Sequence, residues 1–114
     1  MPPRDWRLRI NDILEAIAKV ERYTAGMTFQ AFCADERTVD AVVRNLTVIG
    51  EAARHLPPEI EARHPELPWA RLRGVRNVVV HEYFGVDLNI LWETAKRNLP
   101  PLVPLLHGVL EHEL

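Results

Sequence analysis

One stretch of the chain collects residue types that can act together on a phosphate group. Positions 71, 73 and 76 are arginines, and His81 and Tyr83 follow closely. The planar guanidinium of arginine pairs with two phosphate oxygens at once, and histidine exchanges a proton near neutral pH. In metal-free RNA cleavage a ribose 2′-OH attacks the adjacent phosphorus, a general base removes its proton, and positive charge stabilises the transition state. The stretch fits this chemistry, and it also fits a solvated arginine-rich helix face with an incidental histidine.

The spacing of these residues determines which of them share a face of a helix. Arg76 and Tyr83 are seven residues apart and lie on one face, whereas Asn77 and His81 are four apart and lie on another. Arg76 and His81 are five apart, which separates them by about 140° around the helix axis. A single helix therefore does not bring this arginine to this histidine. Two copies of the chain related by a two-fold axis can do so, and the spacing favours a homodimer.

Other common catalytic and metal sites lack their residues. The chain has no serine, its one cysteine is Cys33, and its five glycines are isolated, which excludes a serine nucleophile, an internal disulfide and a glycine-rich phosphate loop. We interpret Cys33 as a small apolar core residue. His81 and Glu82 begin an HExxH pattern, but Gly85 stands where the second histidine belongs. No metal site is predicted, and the remaining histidines are expected to face solvent: His55, His64, His107 and His112.

The composition is that of one ordinary globular domain over residues 1–114. Hydrophobic residues make up 47%, charged residues 26%, and the formal net charge is −2. This charge excludes a protein that coats nucleic acid through bulk positive charge, although it allows a local basic site. No apolar run approaches the ~20 residues that cross a bilayer, no signal-peptide core is visible, and the free thiol suits a reducing compartment. We therefore expect a cytoplasmic protein without a membrane segment.

Apolar side chains recur every three or four residues in two long stretches of the first half, which predicts two helices. The first helix covers residues 6–20 and stops near Gly26. The second covers residues 36–56, is capped by Asp35, and ends at two consecutive prolines. Between them, the segment 28–32 carries two phenylalanines that are expected to close one end of the core.

The second half predicts further helices. Pro68 suits the first turn of a third helix, which continues to Gly85 and carries the arginines and the histidine. The three valines at 78–80 favour a strand by propensity, but no other segment offers a partner strand, so a helix is predicted. A fourth helix begins after Asp87 and is kinked or split by three prolines before a final apolar stretch over residues 102–110. Four or five helices without a β-hairpin predict an all-α bundle.

The segment 76–83 reads RNVVVHEY and has the form Arg-x-x-x-x-His-x-Tyr. This motif resembles the signature of HepT-like toxins of the HEPN superfamily. The resemblance extends to the order of the helices and covers nearly the whole chain. It includes these further residues: Ile49-Gly50-Glu51-Ala52, Pro68-Trp69, Val86-Asp87 and Trp92.

The resemblance implies a helical homodimer that acts as a metal-independent endoribonuclease, needs no cofactor, and is the toxin of a toxin–antitoxin pair. By position, Arg76 would bind and stabilise the scissile phosphate, His81 would be the acid and base, and Asn77 would orient that pair. The implied partner is a minimal nucleotidyltransferase of the MntA type. This antitoxin would silence the toxin by attaching AMP to Tyr83.

Another function is compatible with the same residues. Some proteins similar to this one serve as non-catalytic helical partners of a minimal nucleotidyltransferase, and their arginines would then hold the phosphate of a bound nucleotide. Two residues of the second helix also have two interpretations. Gly50 either allows a close approach of another helix or is merely tolerated, and Glu51 faces either the cleft or solvent.

Overall fold

The computed structural model describes residues 5–79 and 85–113, and in these ranges the chain forms helices joined by short loops and turns. The predicted all-α fold is confirmed. None of the helices in these ranges combines the length and apolar character that crossing a bilayer requires. The elements are α1 (Trp6–Thr24), α2 (Phe29–Cys33), α3 (Glu36–Arg54), α4 (Pro58–Arg63), α5 (Trp69–Arg73), α6 (Val75–Val79), α7 (Leu88–Glu93), a π-helix (Thr94–Asn98) and α8 (Leu102–His112).

The two long helices, α1 and α3, pack along each other and form the centre of the domain. Their apolar stripes follow the predicted spacing and are fully buried where they meet. The core residues from these two helices are Ile10, Ile13, Ile17, Val20, Val42, Leu46 and Ile49. Asp35 caps α3 as predicted, since its carboxylate accepts the backbone N–H of Thr38 at 3.1 Å and the Thr38 hydroxyl at 2.8 Å. These two hydrogen bonds, the backbone one first, lower the pKa of Asp35.

One end of the core is closed by aromatic side chains from α2 and α7. The ring of Phe32 is fully buried, and its centroid lies 5.0 Å from that of Trp92. Phe29 is half-buried, with its ring centroid 6.0 Å from Trp92. The expected closure is therefore confirmed, although Phe29 covers Trp92 from outside instead of filling the core. Cys33, at the end of α2, is half-buried, so its interpretation as a core residue is only partly right.

The prediction of one continuous third helix is wrong. The chain forms α5, breaks at Gly74, and starts again with α6. The N–H of Asn77 donates to the carbonyl of Gly74 at 2.9 Å, a three-residue spacing that is tighter than the α-helical one. Leu72 and Val75 are both buried across the break, so both short helices keep an apolar anchor in the core. Pro68 precedes α5 as its N-cap and does not occupy its first turn.

The proline-rich region splits the last helix, as predicted. Asp87 caps α7 by accepting the N–H of Ile90 at 3.1 Å. The chain then widens into the π-helix, where the N–H of Leu99 donates to the carbonyl of Thr94 at 3.0 Å. Proline cannot donate a backbone hydrogen bond, so the chain restarts as α8 after the prolines at 100 and 101. The spacing of apolar residues in the sequence did not predict this π-helix.

The expectation that His64 faces solvent is wrong, because only 4% of this residue is exposed. Its Nε2 lies 3.0 Å from Oε2 of Glu113, and its Nδ1 lies 3.3 Å from a carboxylate oxygen of Glu66. Arg63 binds both oxygens of Glu113, at 2.6 and 3.0 Å. Hydrogen bonds from Arg63 first, and then from His64, lower the pKa of Glu113 to about 2. Polar partners that the chain supplies itself thus allow this imidazole to be buried.

Candidate active site

Arg76 and Asn77 are neighbours on α6, and both side chains are exposed. The residue before them, Val75, is buried and attaches this short helix to the core. α6 packs against α3 and approaches α7. His81 and Tyr83 lie outside the described residues, so their predicted places beside Arg76 stay predictions.

Gly50 on α3 allows the segment that carries the motif to come close. A Cβ built on Gly50 would lie 3.2 Å from the carbonyl oxygen of Arg73 and 3.6 Å from that of Leu72. The first distance is tighter than nine in ten real contacts of a Cβ atom, and the neighbour is backbone. Gly50 therefore permits the close approach of α5 and of the break that follows it. Of its two interpretations, close approach is confirmed.

Glu51, the next residue on α3, faces solvent. Its side chain is 60% exposed and lies 4.0 Å from Arg54 and 3.5 Å from His55. The two partners follow Glu51 by three and four residues at the end of α3, so they lie on the same side of the helix as Glu51. Exposed pairs of this kind contribute little to stability, and in the single chain Glu51 lies on a solvated face.

Gly50→Val is expected to destabilise the fold by about 1–3 kcal/mol, because its methyl groups would press on the backbone carbonyls at the end of α5. Gly108 on α8 is the matched control, since a Cβ built there meets nothing within 4 Å. Gly108→Val should change stability by less than about 0.5 kcal/mol. Urea unfolding of the three proteins measures the difference. Equal destabilisation by the two substitutions would contradict the role given to Gly50.

The predicted basic spot is reduced from three arginines to two. Arg73 is held by Glu61, with its Nη1 2.6 Å from each carboxylate oxygen, and that ion pair neutralises it. Arg71 and Arg76 are both exposed, and neither forms an ion pair with any residue in the described ranges. These two guanidinium groups are therefore the ones left to receive an anion.

A groove with a volume of about 560 Å³ runs between the α5–α6 segment and the α7–π segment. Arg71 lines one side, and Arg97 lines the other, where it pairs loosely with Glu93 at 3.5 Å. Asn89, Glu93 and Arg97 follow one another at intervals of four residues, so they form one polar helix face. We did not predict this face from the sequence, although its spacing was visible. It places a second arginine opposite Arg71.

The chain returns to the described region at Gly85, whose φ of +117° is a conformation that favours glycine. This angle agrees with the prediction that a helix does not continue through Gly85. The last described helical residue before it is Val79. The exact end of the predicted third helix therefore lies outside the described residues.

The architecture and the exposed Arg76–Asn77 pair can be compared with known protein families. The family model described as "Ribonuclease HepT-like" matches residues 13–108, from the middle of α1 to near the end of α8. The chain belongs to the HepT-like family. The resemblance seen in the sequence is thereby confirmed at the level of the family.

Curated relatives of this HepT-like chain cover most of its length. A protein of Thermococcus cleftensis, named a probable ribonuclease HepT, is 41% identical over 93 residues, which are 82% of this chain and 84% of that protein. A candidate RNase of Methanocaldococcus jannaschii is 39% identical over 102 residues, or 90% of this chain and 84% of the other. A candidate RNase of Caldanaerobacter subterraneus subsp. tengcongensis is 39% identical over 88 residues, which are 77% of this chain and 79% of that protein. No solved structure gives a significant match.

Proposed function

We propose that this HepT-like chain is a metal-independent endoribonuclease and the toxin of a toxin–antitoxin pair. The observation that carries the proposal is the exposed pair Arg76 and Asn77, held on α6 by its contact with α3, in a chain of this family. The Arg76 side chain is exposed and forms no ion pair with any residue in the described ranges, which supports a guanidinium that binds a phosphate. The names of the relatives, which point to RNases, support the same substrate.

The proposed reaction needs only proton transfer and positive charge. His81 removes the proton of a ribose 2′-OH, whose oxygen forms a bond to the adjacent phosphorus. The bond from phosphorus to the 5′ oxygen breaks, and that oxygen takes up a proton. The products are a 2′,3′-cyclic phosphate and a 5′-hydroxyl end. Arg76 binds the non-bridging oxygens, whose negative charge increases in the transition state, and Asn77 orients the pair.

The proposed active form is a homodimer in which two motifs share one cleft. The five-residue spacing turns Arg76 and His81 away from each other on a regular helix, and a two-fold dimer lets each arginine meet the histidine of the other copy. Each composite site then contains one Arg76 and one His81, and that histidine accepts the proton of the 2′-OH and gives a proton to the 5′ oxygen.

Mixing two inactive variants tests this arrangement. Arg76→Ala and His81→Ala chains, unfolded and refolded together, are expected to recover up to about a quarter of the wild-type cleavage rate. The reason is that half of the random dimers are mixed, and each mixed dimer has one intact composite site. Light scattering should show a dimer for each protein. No recovery from a mixture shown to contain mixed dimers, or a fully active monomer, would contradict the shared cleft.

The proposed inhibition of the ribonuclease by its antitoxin acts through Tyr83. An antitoxin of the MntA type would transfer AMP from ATP to the tyrosine oxygen, releasing pyrophosphate. On a continuous helix Tyr83 shares a face with Arg76, so the added phosphate would compete for the guanidinium and the adenosine would cover the cleft.

The groove beside α5 supports a second candidate function, a non-catalytic nucleotide-binding partner of a nucleotidyltransferase. Its volume is within the range of small-molecule sites, and Arg71 and Arg97 line it from opposite sides. A nucleotide phosphate there would be held by arginines without any role for His81. His81→Ala distinguishes the two functions, because it should abolish RNA cleavage in the first case and leave nucleotide binding unchanged in the second.

A further inference from the structure

The end of α8 and the loop after α4 bring two imidazoles and one carboxylate together. His64 Nε2 lies 3.0 Å from Oε2 of Glu113, and His112 Nδ1 lies 3.1 Å from the same oxygen. The ligand atoms of the three residues all lie within 4.8 Å of one another. Two imidazole nitrogens and a carboxylate oxygen are a donor set that zinc and neighbouring transition metals bind.

Surrounding groups complete the arrangement expected around metal ligands. A metal-bound histidine usually donates its other ring N–H to a carboxylate, and Glu66 lies 3.3 Å from His64 Nδ1 in the position to accept it. Ligating carboxylates are in turn hydrogen-bonded, and Arg63 donates to Oε1 of Glu113 at 2.6 Å and to Oε2 at 3.0 Å, the oxygen that also faces both imidazoles. We propose that His64, His112 and Glu113 bind a divalent transition-metal ion of the zinc class.

The exposure of the three residues provides both a protected site and an entry path. The side chains of His64 and Glu113 are only 5% and 11% exposed, whereas His112 is 67% exposed. An ion would enter from the side of His112, and water would complete the coordination of three protein ligands.

The ion would connect two parts of the chain that are distant in sequence. The indole N–H of Trp69, the first residue of α5, donates to the carbonyl of His64 at 2.8 Å. A metal on His64 would therefore fix the start of α5 to the end of α8. Its role is to stabilise the fold, and it is independent of the proposed cleavage because its three proposed ligands, His64, His112 and Glu113, lie outside the motif.

Calorimetric titration of the chelator-treated full chain with zinc chloride tests the site. The wild type should bind one Zn²⁺ per chain, and His112→Ala should bind about 100-fold more weakly or worse. His107→Ala is the matched control, because His107 is exposed on the same helix and outside the cluster. Zinc should raise the unfolding temperature of the wild type and of His107→Ala, and leave that of His112→Ala unchanged.

Glu66→Gln provides a second measurement that leaves all three ligands in place. It should weaken zinc binding by about 10-fold or more, whereas Glu111→Gln, an exposed change on α8, should not alter it. The proposal is overturned if the wild type does not bind zinc, or if the two histidine variants bind it equally well. RNA cleavage by His112→Ala in EDTA should equal that of the wild type, so a failure of the metal site is distinguishable from a failure of the ribonuclease proposal.

Discussion

Arg76→Ala and His81→Ala are each expected to lower the rate of RNA cleavage by a factor of about 10²–10⁴, the usual loss when a general acid–base group or a transition-state charge is removed. Arg76 is exposed, so its loss should leave the unfolding temperature almost unchanged. Single-turnover cleavage of an RNA with a fluorophore and quencher measures the rate. Melting curves of the same preparations separate catalysis from stability.

Matched controls make this result specific. Arg44→Ala removes an exposed arginine from α3, and His107→Ala removes an exposed histidine from α8, and both should cleave at the wild-type rate. Cleavage by the wild type should also persist in EDTA. A rate for Arg76→Ala within twofold of the wild type would contradict the phosphate-binding role. Loss of cleavage on chelation, in protein freed of contaminating nucleases, would contradict the metal-independent reaction.

Tyr83→Phe is expected to retain RNA cleavage and to escape silencing by the partner nucleotidyltransferase. The substitution keeps the aromatic ring but removes the oxygen to which AMP would be attached. The wild type, incubated with the partner and ATP, should gain mass in steps of one AMP and lose its activity. Intact-protein mass spectrometry and the cleavage assay measure the two effects on the same sample.

Tyr23→Phe is the natural control for this experiment. Tyr23 is the other tyrosine of the chain, and it is 37% exposed on α1. This variant should be labelled and silenced like the wild type. Equal labelling of Tyr83→Phe and the wild type would place the modification on another residue.

The parts of the fold that depend on neighbouring residues could be predicted from the sequence. The stripes of α1 and α3 follow from the helical period, which is a property of the backbone. Asp35 and Asp87 cap helices by accepting backbone N–H groups three positions ahead, and the proline pairs at 57–58 and 100–101 each lie at a junction between two helices because proline lacks a donor. The motif residues were also recognisable, since their types and spacing are local.

The remaining features depend on residues that meet only when the chain folds. The break at Gly74 lies beside Gly50, and no periodic pattern in the sequence predicts that these two segments are in contact. Glu61 neutralises Arg73 from twelve residues away, so counting the arginines in the sequence overestimated the positive charge available at this site. His64 and Glu113 meet across forty-nine residues, which is why a histidine expected in solvent is buried among partners. The sequence by itself determined the two long helices, the caps at Asp35 and Asp87, and the candidate motif. Only the tertiary structure decided which charges are paired and which helices lie in contact, because packing brings together residues whose separation in sequence carries no periodic signal.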